Sequence, residues 1–73
     1  MEGKSLQQLG AALRARREAM GLSQEAFADK VGMHRTYYSS IELGKKNITV
    51  KMLERVTKAL QTKPSVVFAE ASL

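Results

Sequence analysis

Residues 21–44, GLSQEAFADKVGMHRTYYSSIELG, carry the pattern of two short helices joined by a tight turn. Ser23 precedes the first helix as a strong N-cap residue, and Gly44 follows the second helix as a stop signal. The turn between them falls at Gly32-Met33, because glycine readily adopts the backbone conformation that ends a helix. This pair of helices is the element around which the rest of the chain is organised.

The second helix of this pair has two faces with different chemistry. At about 100° per residue, Tyr37, Tyr38 and Ile41 share one apolar arc. The other face has no acid and carries one guanidinium and three hydroxyl groups, those of Arg35, Thr36, Ser39 and Ser40. Because such a face can donate hydrogen bonds to base edges or phosphates, we interpret it as the face of a DNA-reading helix.

The size of the chain limits how it can be stabilised. It has 73 residues and no cysteine, which predicts one small domain without disulfides or a thiolate metal site. A domain of this size buries only about 60% of its unfolded surface. Its stability must therefore come from efficient helix packing, from oligomerisation or from both, and we expect a homodimer partly for this reason.

The net charge of +5 favours an anionic partner such as nucleic acid.

Other classes of function find little support in the sequence. No apolar run approaches the ~18 residues of a membrane span, and the N-terminus lacks the apolar region of a signal peptide. We therefore expect a cytoplasmic protein with no membrane partner. One histidine, no cysteine and scattered acids do not predict catalysis or a metal site. With no glycine-rich phosphate loop and a small core, neither a cofactor nor a small-molecule ligand is expected.

The rest of the chain predicts three further helices, so we expect an all-α domain of five helices over residues 1–73. The first runs from a Ser5 cap to about Met20, and the fourth begins after a Thr49 cap. The fifth runs from Pro64, which suits the first position of a helix, to about Glu70. The apolar face of the fourth helix is predicted to contain Val50, Leu53, Val56, Thr57 and Leu60.

Two further features predict specific contacts. Arg17 lies at the edge of the apolar stripe of the first helix, where a charged side chain must be paired or must extend to water. Val66, Val67 and Phe68 make the C-terminal segment, residues 62–73, more apolar than one small core needs. We predict that these three residues form the dimer interface.

The chain resembles the phage-repressor-like helix-turn-helix regulators, known as the Cro/repressor or XRE class. The shared pattern is Arg17, Gly21-Leu22-Ser23-Gln24-Glu25, Ala28, Gly32, Ile41-Glu42, Gly44 and Lys58-Ala59-Leu60. The resemblance covers roughly residues 6–70, and its specificity lies in the combined spacing. The segment 34–37, with Asn47 after the basic loop, looks particularly like the small controller proteins of restriction-modification systems.

This resemblance implies a compact lambda-repressor-like fold with residues 24–42 as the helix-turn-helix and the third helix in the major groove of double-stranded DNA. It implies base contacts from Arg35, Thr36 and Ser40. It implies contacts to the DNA backbone from Gln24, His34, Tyr37, Ser39, Lys45, Lys46 and Asn47. It also implies an ion pair between Arg17 in the first helix and Glu42 at the end of the third.

The chain departs from the pattern of the class at several positions, including Leu43, which replaces a frequent polar residue, and the short Ser40. His34 occupies the N-cap of the third helix, where Ser, Thr or Asp is usual. Tyr38 occupies a position where an aliphatic residue is common, and we expect its ring in the core and its hydroxyl at the surface.

Sequence and resemblance together predict a sequence-specific transcription regulator that binds an inverted-repeat operator as a homodimer. An alternative is an antitoxin or modulatory subunit that uses this fold mainly to bind a protein partner. Residues 66–68 and Leu73 would then form the docking surface.

Overall fold

The computed structural model describes residues 3–73, and in that range the chain forms five α-helices and no strand. The helices are α1 (Gly3–Ala19), α2 (Gln24–Val31), α3 (Arg35–Glu42), α4 (Val50–Ala59) and α5 (Pro64–Glu70). The all-α fold is thus confirmed. One boundary differs, because α1 begins two residues before Ser5, which is therefore a helical residue and not the N-cap.

Local sequence signals determine where the middle helices begin and end. The Ser23 hydroxyl accepts a hydrogen bond from the Ala26 amide at 3.0 Å, and the Thr49 hydroxyl accepts one from the Met52 amide at 3.1 Å. Each bond satisfies an amide that has no partner inside its own helix. Gly32 ends α2 with φ of 82°, a left-handed conformation that costs glycine little.

All five helices contribute to one core. Its fully buried side chains include Leu9, Leu13, Phe27, Tyr38, Val56 and Val67. Helix α1 packs against α3 and α5, while α2 packs against α3 and α4. The rings of Phe27 and Tyr38 lie 5.0 Å apart at an angle of 56°, a tilted aromatic pair that joins α2 to α3.

Two expectations about buried residues are wrong. Val50 was predicted on the apolar face of α4, yet 74% of its surface is exposed. It is the first residue of α4, and the buried part of that helix begins at Leu53. The Tyr38 hydroxyl was expected at the surface, but it is buried and makes no hydrogen bond to residues 3–73. The whole side chain of Tyr38 lies in the core, where burial and the neighbouring Glu42 carboxylate raise the pKa of its hydroxyl.

The predicted dimer interface also needs correction. Val67 is fully buried within its own chain, so its side chain is not available to a partner. Phe68 is half-buried against the same core, and Val66 remains 39% exposed. The apolar residues of α5 therefore have two different environments. Val67 and part of Phe68 pack into the core, because α5 contacts both α1 and α4, whereas Val66 remains exposed.

A glycine in α1 allows α3 to pack closely. A Cβ atom added to Gly10 would lie 2.5 Å from the Ile41 carbonyl oxygen and 2.7 Å from the Glu42 carbonyl carbon. Real Cβ atoms do not approach backbone atoms this closely. Any larger residue at position 10 would therefore push the end of α3 away from α1.

We predict that Gly10→Ala lowers the free energy of unfolding by about 1–3 kcal/mol, because overpacking outweighs the helix propensity gained from alanine. Gly3→Ala is the matched control in the same helix, since an added Cβ there meets nothing within 4 Å. Urea unfolding followed by circular dichroism measures both. Equal stability of the two variants would show that close packing at position 10 is unimportant.

Candidate nucleic-acid interface

The first turn of α3 presents exposed polar side chains. Arg35 and Thr36 are both exposed, and within residues 3–73 the Arg35 guanidinium has no hydrogen-bond or ion-pair partner. Ser39 and Ser40 lie further along the helix and are half-buried. The polar face predicted for this helix therefore exists, and its most accessible part is the N-terminal turn.

The start of α3 is stabilised by an imidazole. His34 occupies the N-cap with φ of −68° and ψ of 139°, and its Nδ1 accepts a hydrogen bond from the Thr36 amide at 3.1 Å. The predicted capping role of His34 is therefore present in the structure. It orders the turn that carries Arg35 and Thr36.

Two of the proposed contact residues on α3 are partly engaged within the protein. The Ser40 hydroxyl donates a hydrogen bond to the Thr36 carbonyl at 3.0 Å, so its proton is used inside the helix. Tyr37 is half-buried, with part of its ring against the core. Neither side chain is as free to contact a ligand as Arg35.

The loop after α3 carries a second group of exposed polar residues, Lys45, Lys46 and Asn47. Leu43 and Gly44 connect this loop to the end of α3, so the loop and α3 belong to one continuous region of the chain. Within residues 3–73, neither lysine forms an ion pair. Their charges are available to an anionic partner.

An ion pair between Arg17 and Glu42 joins α1 to the end of α3. The Arg17 Nε lies 2.7 Å from one Glu42 carboxylate oxygen, and the Nη2 lies 3.1 Å from the other. Only 8% of the Arg17 side chain and 1% of the Glu42 side chain are exposed. The pair implied by the resemblance is therefore present, with the bidentate geometry that arginine and carboxylate favour.

Two more contacts complete this network. The Arg17 Nη1 donates to the Leu22 carbonyl at 2.8 Å, and the Gln24 amide nitrogen donates to Glu42 at 2.9 Å. Because Gln24 is the first residue of α2, the network connects α1, α2 and α3. One N–H of the Gln24 amide points into the protein, and the second N–H is available for an external acceptor.

The network controls the ionisation of its carboxylate. Burial acts to raise the pKa of Glu42, but hydrogen bonds from Arg17 and Gln24 outweigh it, and the pKa lies below its usual value. The hydrogen bond to Glu42 raises the pKa of Arg17. Both groups are therefore charged at neutral pH, and each compensates for the burial of the other.

The sequence interpretation missed two arginine contacts. Arg16 makes a bidentate pair with Glu70, with both nitrogen–oxygen distances at 2.7 Å, and so connects α1 to α5. Arg55 of α4 donates to the Val31 carbonyl at 2.6 Å, at the end of α2. These partners are 54 and 24 residues apart in the chain, and no local pattern indicates contacts at such separations.

No helix in residues 3–73 has the length and apolar character needed to cross a membrane. In the same range, no three His, Cys, Asp or Glu side chains are grouped in a way that could hold a metal ion.

We predict that acid weakens the domain through Glu42. Because the folded-state pKa of Glu42 is lowered, its contribution to stability is complete above the unfolded value of about 4.3 and is lost as pH falls through the folded value. The free energy of unfolding of the wild type should therefore fall more steeply below about pH 5 than that of Glu42→Gln.

Urea titrations between pH 3 and pH 7 measure these slopes. At neutral pH, Glu42→Gln should itself be less stable by about 3 kcal/mol, because Arg17 loses its charged partner. Glu70→Gln removes a carboxylate from an exposed ion pair and serves as the control. It should retain most of the wild-type dependence of unfolding free energy on pH. Parallel profiles for the wild type and Glu42→Gln would exclude Glu42 as the acid-sensitive group.

Comparison with known proteins identifies the family. The helix-turn-helix family model HTH_3 matches residues 13–67. The chain is 44% identical to the control protein C.MunI of Mycoplasma sp over 55 residues, which cover 75% of this chain and 74% of the relative. These matches confirm the resemblance to the XRE class and agree with the narrower resemblance to controller proteins.

Solved structures support the same conclusion. The clp gene regulator ClgR from C. glutamicum superposes with a TM-score of 0.90 at 31% identity, covering 93% of this chain and 87% of that one. The restriction-modification controller protein C.Esp1396I, solved as a tetramer in complex with its natural 35 base-pair operator, superposes with a TM-score of 0.82. It is 32% identical, and the match covers 93% of this chain and 90% of that one. The chain therefore belongs to the HTH_3 family of helix-turn-helix proteins.

Proposed function

We propose that this chain is a sequence-specific transcription regulator that binds double-stranded DNA as a homodimer. The observation that carries the proposal is the unpartnered, exposed Arg35 at the start of a helix that a buried ion pair holds against α1. The operator complex of C.Esp1396I supports DNA as the partner. The similarity to C.MunI supports a narrower role as a control protein.

In this proposal, α3 lies in the major groove with its N-terminus foremost. Arg35 is the principal base contact, because a guanidinium can donate two hydrogen bonds to one guanine. Thr36 is beside it and can reach a base edge through its hydroxyl or methyl group. Ser40 contributes at most an acceptor, since its proton is already donated to the Thr36 carbonyl.

Contacts to the DNA backbone would determine the position of α3 along the duplex. Gln24 retains one free N–H for a phosphate while it bonds Glu42 with the other. The exposed loop residues provide charge and a further amide donor. The proposed backbone contacts are Gln24, His34, Tyr37, Ser39, Lys45, Lys46 and Asn47.

The dimer interface that we propose lies in the predicted C-terminal segment, residues 62–73, but excludes the buried Val67. Val66 and Ala69 are exposed on α5, and Leu73 follows the helix with 49% of its surface exposed. Phe68 is half-buried beside these exposed residues, whereas Val67 lies in the core beneath them. A two-fold dimer implies an inverted-repeat operator with half-sites separated by about 34–36 Å or a multiple of it.

The proposal assigns no catalytic role and requires no cofactor. A protein whose partner is DNA works in the compartment that contains DNA, and we accordingly propose a cytoplasmic location.

Arg35→Ala should weaken binding to the preferred operator by about 1–3 kcal/mol and relax the preference at one base position. Selection from a random duplex library defines the operator, and fluorescence anisotropy then compares affinities for operator and unrelated duplexes. An equal loss on both duplexes would mean that Arg35 contacts the backbone and does not read a base.

Lys46→Ala is the matched control for that measurement. It should weaken binding to all duplexes similarly and reduce the slope of log K against log salt by about one, because one phosphate contact is lost. An unchanged slope would show that Lys46 makes no phosphate contact.

Val66→Asp should dissociate the homodimer, because a carboxylate in an apolar interface loses its hydration without gaining a partner. Light scattering after size exclusion should show the mass shifting from dimer to monomer. Val50→Asp is the control, since Val50 is more exposed but lies at the start of α4. A wild type that is monomeric and does not bind DNA would instead favour the antitoxin or modulatory subunit.

A further inference from the structure

A surface pocket between α2 and α4 brings three basic side chains together. Lys30 of α2 and Arg55 and Lys58 of α4 line this basic pocket, and Val31 and Ala59 form its apolar part. The pocket has a volume of about 270 Å³. All three basic residues are exposed, and none of them forms an ion pair within residues 3–73.

The positive charge of the basic pocket is not compensated by the protein. No acidic side chain of residues 3–73 lines it. Glu54 lies four residues before Lys58, the spacing at which glutamate and lysine pair on a helix, yet the two form no ion pair. The last turns of α2 and α4 each favour one lysine through the helix dipole, but the dipoles do not require Arg55 beside them. Three like charges on one concave surface repel one another and attract an anion.

Arg55 is held in position by the protein itself. Its Nη2 donates a hydrogen bond of 2.6 Å to the Val31 carbonyl, which covers the end of α2 that would otherwise repel an anion. The same nitrogen lies 3.3 Å from the place that a Cβ of Gly32 would occupy, so the guanidinium rests against the turn between α2 and α3. Four of its five N–H donors remain for an acceptor outside the chain. Because the arginine is already ordered, binding an anion costs less side-chain entropy.

The size of the basic pocket restricts the ligand. Its volume of about 270 Å³ is several times the ~30 Å³ of one water molecule, and lies below the ~300–1,000 Å³ of pockets that enclose drug-sized ligands. Two linked phosphate groups carry a charge of about −3 at neutral pH, which matches the three cations. A guanidinium also donates two parallel hydrogen bonds to a phosphate.

We infer that the basic pocket is a binding site for a compact anion with two linked phosphate groups, of the size of pyrophosphate. None of its lining residues belongs to α3 or to the loop of Lys45, Lys46 and Asn47, so the site is separate from the proposed DNA interface. The sequence predicted no small-molecule ligand, because Lys30 and Lys58 come together only when α2 packs against α4.

Isothermal titration calorimetry of the full chain with inorganic pyrophosphate tests this inference. The titration is done at pH 8 and constant ionic strength, without divalent cations and without DNA, so its result does not depend on the proposed function. We expect one saturable site per chain with a Kd below about 1 mM. Orthophosphate should bind about fivefold more weakly or less tightly still, because it leaves part of the positive charge uncompensated.

The decisive variant is Lys30→Gln/Lys58→Gln, which removes two of the three cations and leaves Arg55 to support the turn. Its Kd for pyrophosphate should rise about tenfold or more. Lys51→Gln/Lys63→Gln is the matched control, since it removes the same charge from two exposed lysines that do not line the pocket. Its Kd should stay within about twofold of the wild type. Circular dichroism checks folding, and Lys58→Gln alone replaces the double variant if that variant is unfolded.

Two results of the titration would overturn the inference. The first is the absence of saturable pyrophosphate binding to the wild type. The second is an equal loss of affinity in the control, which would show attraction to net charge alone.

DNA phosphates are the other source of the same chemistry, and operator binding by Lys30→Gln/Lys58→Gln distinguishes them. The variant should keep the wild-type slope of log K against log salt. A slope that falls by about two would show that the DNA backbone occupies the pocket, and a separate anion site would be excluded. If the wild type binds no DNA, the proposed function fails, while the pyrophosphate titration still decides the site.

Discussion

The bidentate pair between Arg17 and Glu42 is the interaction on which the arrangement of the first three helices depends. Both groups are buried, so each would be costly alone, and together they fix how α3 lies on α1. Gln24 extends the pair to α2, which places the two helices of the helix-turn-helix in one hydrogen-bonded unit. The proposed reading role of α3 needs a fixed orientation of this helix, and hydrogen bonds from α1 and α2 to Glu42 hold its end.

Close packing reinforces the same junction. The absence of a side chain at Gly10 brings the end of α3 against the backbone of α1, which places Glu42 within reach of Arg17. The aromatic pair of Phe27 and Tyr38 packs one turn before Glu42 and joins α3 to α2. A core this small has few contacts to lose, and the buried, unbonded Tyr38 hydroxyl adds a cost to it.

In the proposed DNA complex, different residues on the exposed side of the molecule perform two tasks. Arg35 and Thr36 project from an ordered first turn, where the geometry that base recognition needs can be maintained. Lys45 and Lys46 occupy an exposed loop, where under the proposed function their charge would attract phosphate without precise placement. His34 orders the first turn of α3, because its Nδ1 accepts the hydrogen bond from the Thr36 amide.

Sequence alone determined the five helices, the cap residues of α2, α3 and α4, and the polar face of α3, because these depend on neighbours within a few positions. The Arg17–Glu42 pair came from family resemblance and not from local pattern. The tertiary structure decided which apolar residues are buried: Val67 lies in the core while Val50 is exposed, and helical periodicity cannot say where a neighbouring helix ends. It also decided the partners of Arg16 and Arg55, because contacts between residues far apart in the chain exist only once the helices have packed.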